Sequence, residues 1–175
     1  MADRNPIPLT PVEIQTAEAG YATLLAWVYP PESAYVTRML QDIIPGREKY
    51  GRCRTWVYVE PAGQVVGFGT LHMSDDWRAY CGELPHPYIP LLSVNPGIKS
   101  LGYGETILNH LVAEAATLVR TTTDCSTRLF LDVYATNDRA ISLYERNGFR
   151  HVATRHDTDE GGAEYLILAR SVAVA

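Results

Sequence analysis

The sequence predicts one α/β (α+β) domain, and three observations carry that prediction. Strand-like segments stand at both ends of the 175-residue chain. Two long helical patterns with one apolar face lie between later strands. Apolar residues make up 46% of the chain and charged ones 20%, enough for a core and too apolar for a disordered chain. With roughly 150 residues per domain as a guide, one domain is expected. We read residues 1–11 as an irregular arm and 12–175 as the domain.

The elements follow in order. Val12–Ala17 reads as a first strand. Tyr21, Leu24, Leu25 and Val28 have helical spacing over Ala19–Val28, which Pro30-Pro31 stops. Glu32–Ile44 resumes a helix with Tyr35, Val36, Met39, Leu40 and Ile43 on one stripe, and Pro45-Gly46 ends it. Thr55–Glu60 and Val65–Met73 are rich in β-branched and aromatic residues, and Pro61–Gln64 between them reads as a hairpin turn. Ser74–Pro87 reads as a loop. Tyr88–Val94 is a short apolar strand in which Pro90 marks an edge, bulge or end.

Gly102–Thr121 is the clearest helix, with a wide stripe from Ile107 to Val119. Leu129–Tyr134 is a strand. Asp138–Asn147 is a second strong helix. Gly148 is placed for a left-handed cap, with Phe149 packing back on the helix. His151–Arg155 and Glu164–Ala169 are strands joined by a polar turn containing Gly161-Gly162.

Composition excludes several classes. Fifteen basic against twenty acidic side chains give a net charge of −5, so no basic face for nucleic acid is expected. No apolar run reaches the roughly 18 residues of a membrane span, and Met1–Pro11 has no signal-peptide core. Cys53, Cys81 and Cys125 are scattered and odd in number, which suits the cytoplasm and argues against a disulfide framework. The five histidines lack metal-ligand spacing with cysteine, so no metal is expected.

Chemistry concentrates where a strand leaves into a glycine-bearing loop that opens the long helix, Leu92 to Gly104. Backbone N–H groups at a helix start converge on one point and favour an anion. Gly102 and Gly104 let a phosphate approach the backbone, and Lys99 can add charge. The plain alternative is a tight turn. A dinucleotide fingerprint fails at Ile107, where glycine or alanine is required. A Walker A loop fails because Tyr103-Gly104 stands where Lys-Ser/Thr belongs.

Val94-Asn95-Pro96-Gly97-Ile98-Lys99-Ser100-Leu101-Gly102-Tyr103-Gly104 resembles the acyl-CoA signature V-x-P-x-x-Q/R-x-x-G-x-G/A of the GCN5-related N-acetyltransferases (GNAT), with Lys99 in place of Gln or Arg. A second block, Leu131 to Phe149, resembles the family's later motif, in which a strand ends at Asn and a helix follows with L-Y-x-x-x-G-F. The resemblance implies a mixed, twisted sheet of about six to seven strands flanked by helices. It also implies a splay between strands four (Tyr88–Val94) and five (Leu129–Tyr134) that takes the pantetheine arm. It implies backbone pairing of Leu92, Ser93 and Val94 with pantetheine, and wrapping of the pyrophosphate by Ser100, Leu101, Gly102, Tyr103, Gly104 and Glu105.

Asn137 is placed either to bond the pantetheine amide or to cap the following helix. Tyr144 is placed either to protonate the departing thiolate or to pack in the core. Asp132 is a candidate base for the acceptor amine, against the alternative of a solvated or salt-bridged strand carboxylate. Glu83, His86 and Tyr88 are further candidates, and His72 reads as structural or surface. The implied activity is direct acetyl transfer from acetyl-CoA to a primary amine, on a small molecule, peptide or protein. The alternative is a non-catalytic acyl-CoA-binding regulatory or interaction domain. A homodimer is compatible with either. Tyr21, Trp27, Tyr29, Tyr35 and Trp77 are candidates to line an acceptor cleft, with a core role as the simpler reading.

Overall fold

The computed structural model describes residues 8–14, 19–29, 36, 53–75, 82, 84–98, 102–157 and 162–172. The chain forms two compact units. One comprises residues 1–70 and 91–110, the other 71–90 and 111–175.

The first unit contains β1 (Thr10–Ile14), α1 (Ala19–Leu25), β2 (Arg54–Val59) and the first part of β3 (Val65–Ser74). β1 pairs antiparallel with β2, from Thr10 opposite Val59 to Ile14 opposite Thr55. The β2–β3 turn is closed by the Gly63 N–H donating to the Glu60 carbonyl at 2.8 Å, and Gly63 takes the positive φ that such turns require. Ile14, Leu24, Val36, Val57, Phe68 and Leu91 form this unit's core.

Three sequence expectations shift here, and a fourth lies almost wholly outside the described residues. β1 begins at Thr10, two residues before the expected strand start at Val12. α1 ends at Leu25, and Val28 lies beyond it, 87% exposed. A stripe ending at Val28 is therefore a stripe ending at Leu25. Of the Glu32–Ile44 helix only Val36 is described, helical and buried. Of the Ser74–Pro87 loop, Ser74 belongs to β3, and His86 and Pro87 belong to the next strand.

The expected strand Tyr88–Val94 is two strands, β4 (His86–Ile89) and β5 (Leu92–Val94). Pro90 is the reason, because it has no N–H to give a ladder. This raises the strand number to eight among the described residues. β5 pairs antiparallel with β3 through Gly67–Val94, Phe68–Ser93 and Gly69–Leu92. At the break, the Leu91 N–H donates to Thr70 Oγ1 at 3.1 Å, and the Thr70 N–H donates to the Leu91 carbonyl at 2.9 Å. Thr70 is fully buried. Thr70→Val keeps the side chain's shape but strands a buried N–H, so it is expected to lower stability by about 1–3 kcal/mol. A urea midpoint equal to wild type would refute this role.

The second unit runs in the order β3 end, β4, β6 (Arg128–Tyr134), β8 (Ala163–Ser171) and β7 (Arg150–Asp157). β4 and β6 are parallel, at Tyr88–Phe130 and Ile89–Leu131, and the other pairings of this unit are antiparallel. Tyr88, Phe130, Ile167 and Ala169 form a core cluster on one face. α2 (Tyr103–Thr121) begins in the first unit, where Tyr103, Ile107 and Leu108 are buried. It continues in the second, where Leu111, Ala115 and Val119 are buried. α3 is Asp138–Arg146. The architecture is thus the helix-flanked, mixed sheet that the sequence predicts.

Candidate active site

In the first unit the backbone of β5 can be assigned group by group. The Thr70 N–H bonds the Leu91 carbonyl and the Asn95 N–H bonds the Val66 carbonyl, at 2.9 and 2.8 Å. In an antiparallel ladder the bonded pairs alternate, so Ser93 opposite Phe68 also turns its N–H and C=O toward β3. Leu92 and Val94 therefore present theirs from the other edge. Of the three residues singled out from the sequence, these two carry the outward backbone groups.

After β5, Asn95 Oδ1 accepts from the Gly97 N–H at 2.8 Å, and the Ile98 N–H closes a turn on the Asn95 carbonyl at 3.0 Å. Pro96 suits that turn because its φ is fixed near the value required. Lys99, Ser100 and Leu101 lie outside the described residues. Gly102 takes φ +84°, a left-handed conformation that side chains disfavour. Its carbonyl accepts from the Glu105 and Thr106 N–H groups. The earlier N–H groups of Tyr103 and Gly104 precede the helix's own ladder and belong to the donor set of a helix start. The Tyr103 hydroxyl donates to Glu60 Oε2 at 2.9 Å, which ties α2 to the β2–β3 turn. That bond to a carboxylate raises the phenol's pKa.

Gly67 is required for the approach of α2. A Cβ there would lie 2.4 Å from Ile107 Cδ1 and 2.8 Å from the Ser93 carbonyl oxygen. Also in this unit, the Tyr29 hydroxyl lies 3.4 Å from Ser93 Oγ. Burial raises the Tyr29 pKa, and Ser93 opposes that rise.

In the second unit, β6 alternates Phe130, Asp132 and Tyr134 on one face with Leu129, Leu131 and Val133 on the other. Asp132 accepts a hydrogen bond from the Tyr88 hydroxyl on β4. Its other oxygen lies 3.5 Å from Arg155 Nη2 on β7. Burial pushes its carboxyl above the ordinary range, against the lowering pull of Tyr88 and Arg155. It is therefore a partnered carboxylate, not a solvated one. Among the other base candidates, Tyr88 joins Asp132 directly. His86 is fully buried, edge-on to Phe130 at 4.9 Å, as a core histidine. His72 stacks edge-on to Tyr88 at 5.6 Å. Glu83 lies outside the described residues.

Asn137 caps α3, its Oδ1 accepting from the Ala140 N–H at 3.2 Å. Tyr144 lies on the buried side of α3. The helix ends in a complete left-handed cap: Gly148 has φ +84°, its N–H donates to Glu145, and the Phe149 N–H donates to the Tyr144 carbonyl. The Tyr144 and Phe149 rings meet at 5.8 Å.

Sequence reasoning does not single out Arg155 and Asp157. The strand pattern over His151–Arg155 is legible, but the alternation Ala153, Arg155, Asp157 that puts both charges on one face extends past its expected end.

This strand, turn and helix start, followed by the strand, capped helix and Gly-Phe stop, is matched across 19–149 by the acetyltransferase (GNAT) family. The chain belongs to that family. A [ribosomal protein bS18]-alanine N-acetyltransferase of Salmonella typhimurium is 31% identical over 86 residues, 47% of this chain and 54% of that protein. The match thus spans about half the length of that relative. Among solved structures, an IAA acetyltransferase from Bacillus cereus superposes with a TM-score of 0.65 at 16% identity, covering 94% of this chain and 99% of the other. Arabidopsis thaliana NAA60 in complex with acetyl-CoA gives 0.63 at 18% identity, covering 94% and 99%. These structural likenesses establish the GNAT fold.

Proposed function

We propose that this GNAT chain transfers an acetyl group from acetyl-CoA to a primary amine of a small molecule, peptide or protein. The observation that carries the reading is the strand–turn–helix start from Leu92 to Glu105. It carries the family's signature with Lys99 in place of Gln or Arg, a left-handed Gly102, and backbone donors both at the outward edge of β5 and at the first turn of α2.

In this reading the outward N–H groups of Leu92 and Val94 pair with pantetheine, and one polarises the thioester carbonyl. Fixed backbone donors aimed at a developing oxyanion are a large catalytic contribution. The segment Ser100–Glu105, preceded in the sequence by Lys99, takes the pyrophosphate, with the first turn of α2 supplying N–H donors. Asn137 bonds the pantetheine amide through its side-chain nitrogen, since its oxygen is used by the cap. Asp132, with the Tyr88 hydroxyl, accepts the proton that the amine must lose. The amine then attacks the thioester carbon, the C–S bond breaks, Tyr144 gives its phenol proton to the thiolate that leaves, and the proton shed by the new amide nitrogen restores the phenol. Three scattered cysteines, odd in number, suit a reducing compartment, so we place the reaction in the cytoplasm. Among the described residues no helix is long and apolar enough to cross a membrane.

The test is calorimetric titration with acetyl-CoA, with ATP and NAD as controls, then thiol release on an amine panel that includes peptides with free N-termini. Saturable binding of acetyl-CoA alone, with thiol release on some amine, is the expected result. Binding without release on any amine would favour the non-catalytic alternative, and no binding would overturn the cofactor assignment.

A further inference from the structure

Resting on Asp132 as the base, we propose that Arg155 is its positioning residue, and that Asp157 sets how much of the Arg155 charge Asp132 receives. The geometry is a shared guanidinium. Arg155 Nη1 lies 2.8 Å from Asp157 Oδ2, and Nη2 lies 3.5 Å from Asp132 Oδ2. The Arg155 guanidinium carbon sits 4.4 Å from the centre of the Tyr165 ring, which in turn stacks on Tyr134 at 4.3 Å. A planar cation gripped by one carboxylate and laid on an aromatic face has little freedom left, so its second edge is held toward Asp132.

The register explains why these groups meet. Arg155 is opposite Tyr165, and Tyr165 is opposite Tyr134, two residues along β6 from Asp132. All lie on the same face as Tyr88. Asp132 therefore sees the Tyr88 phenol from β4, with His72 of β3 behind that ring. From β7 it sees the Arg155 cation and the Asp157 anion, and the phenols of Tyr165 and Tyr134 lie on β8 and β6. Burial works against the Arg155 charge, yet the two aspartates hold its proton more firmly than usual. The cation persists through neutral pH, so it can act as the fixed counter-charge of a largely buried base.

The shorter contact is to Asp157, and this predicts opposite effects from two neutralising changes. Arg155→Met removes the counter-charge, so the Asp132 titration midpoint rises and the acidic limb of kcat/KM moves to higher pH. Below that limb activity falls about tenfold, the order expected for losing a charge at this range. Asp157→Asn removes a nearby anion and frees Arg155 for Asp132, so the midpoint and the limb move down. Arg155→Lys keeps the charge but not the fork, and lies between wild type and Arg155→Met. On the alkaline plateau all three variants stay within about threefold of wild type.

The experiment follows the Asp132 carboxyl by carbon NMR in the full-length variants, alongside pH–rate profiles with acetyl-CoA and one amine. Opposite displacements in Arg155→Met and Asp157→Asn support the proposal. A midpoint unmoved in both, or equal losses at every pH, overturns it as a merely structural pair. If Arg155→Met fails to fold, Asp157→Asn and Arg155→Lys still carry the test. NMR midpoints that move while the rate profiles do not would overturn the base assignment instead.

Discussion

Tyr144→Phe is expected to lower kcat by about a hundredfold while leaving the acetyl-CoA Kd within about twofold, the size typical of losing a positioned general acid. The two functions of this side chain separate cleanly. Its ring belongs to the end of α3, where it packs on Phe149 beside the cap formed by Gly148. Phenylalanine keeps that ring and removes only the hydroxyl. A melting temperature close to wild type would show that the ring packing survives, and a loss of turnover would then report the hydroxyl. Tyr144→Ala would not distinguish the two, because it also removes the packing partner of the helix stop. Equal turnover in wild type and Tyr144→Phe would refute the acid role and return Tyr144 to the core. A poorer leaving group sharpens the test. An oxygen ester analogue of acetyl-CoA has a more basic leaving atom, so it should lose more from the substitution than the thioester does.

What the sequence made legible was local. The cap at Gly148 could be read because a left-handed helix stop needs glycine and an apolar residue after it. Before α2, Gly102 could be read as a left-handed turn residue, and it takes that conformation. Pro90 could be read as a break, but not that both halves pair with β3 while β4 also pairs with β6. Proline removes a donor wherever it stands, and which partner each half takes is decided by long-range pairing. The repair of that break by Thr70 was invisible for the same reason, since its partner is 21 residues away. The Asp132 environment was hidden more deeply. A strand carboxylate in a sequence can be solvated or salt-bridged, and only the register of β6, β8 and β7 brings Arg155 to it.

Asp132→Asn is expected to lower kcat/KM by about two to three orders of magnitude, within the usual span for a general base. It should also remove the part of the acidic limb that belongs to the enzyme. The substitution keeps the size and removes the charge; the amide oxygen can still accept from Tyr88, while its NH2 faces the Arg155 guanidinium, which has no acceptor. Stability gives an independent check, because burial raises the Asp132 carboxyl above its unfolded value. An acid whose folded pKa is raised binds its proton more tightly when folded. The wild type therefore loses stability as pH rises from the ordinary aspartate range through the raised folded midpoint, and is level above it. Asparagine cannot titrate, so the stability of Asp132→Asn relative to wild type should climb across that same window and then stay constant. Denaturant midpoints of both proteins across the acidic range would measure this. A constant difference would mean that Asp132 titrates as an ordinary surface carboxylate, and the buried, Arg155-paired base would be wrong. A climbing difference with undiminished kcat/KM would mean that the carboxylate is buried as described but that the amine loses its proton elsewhere.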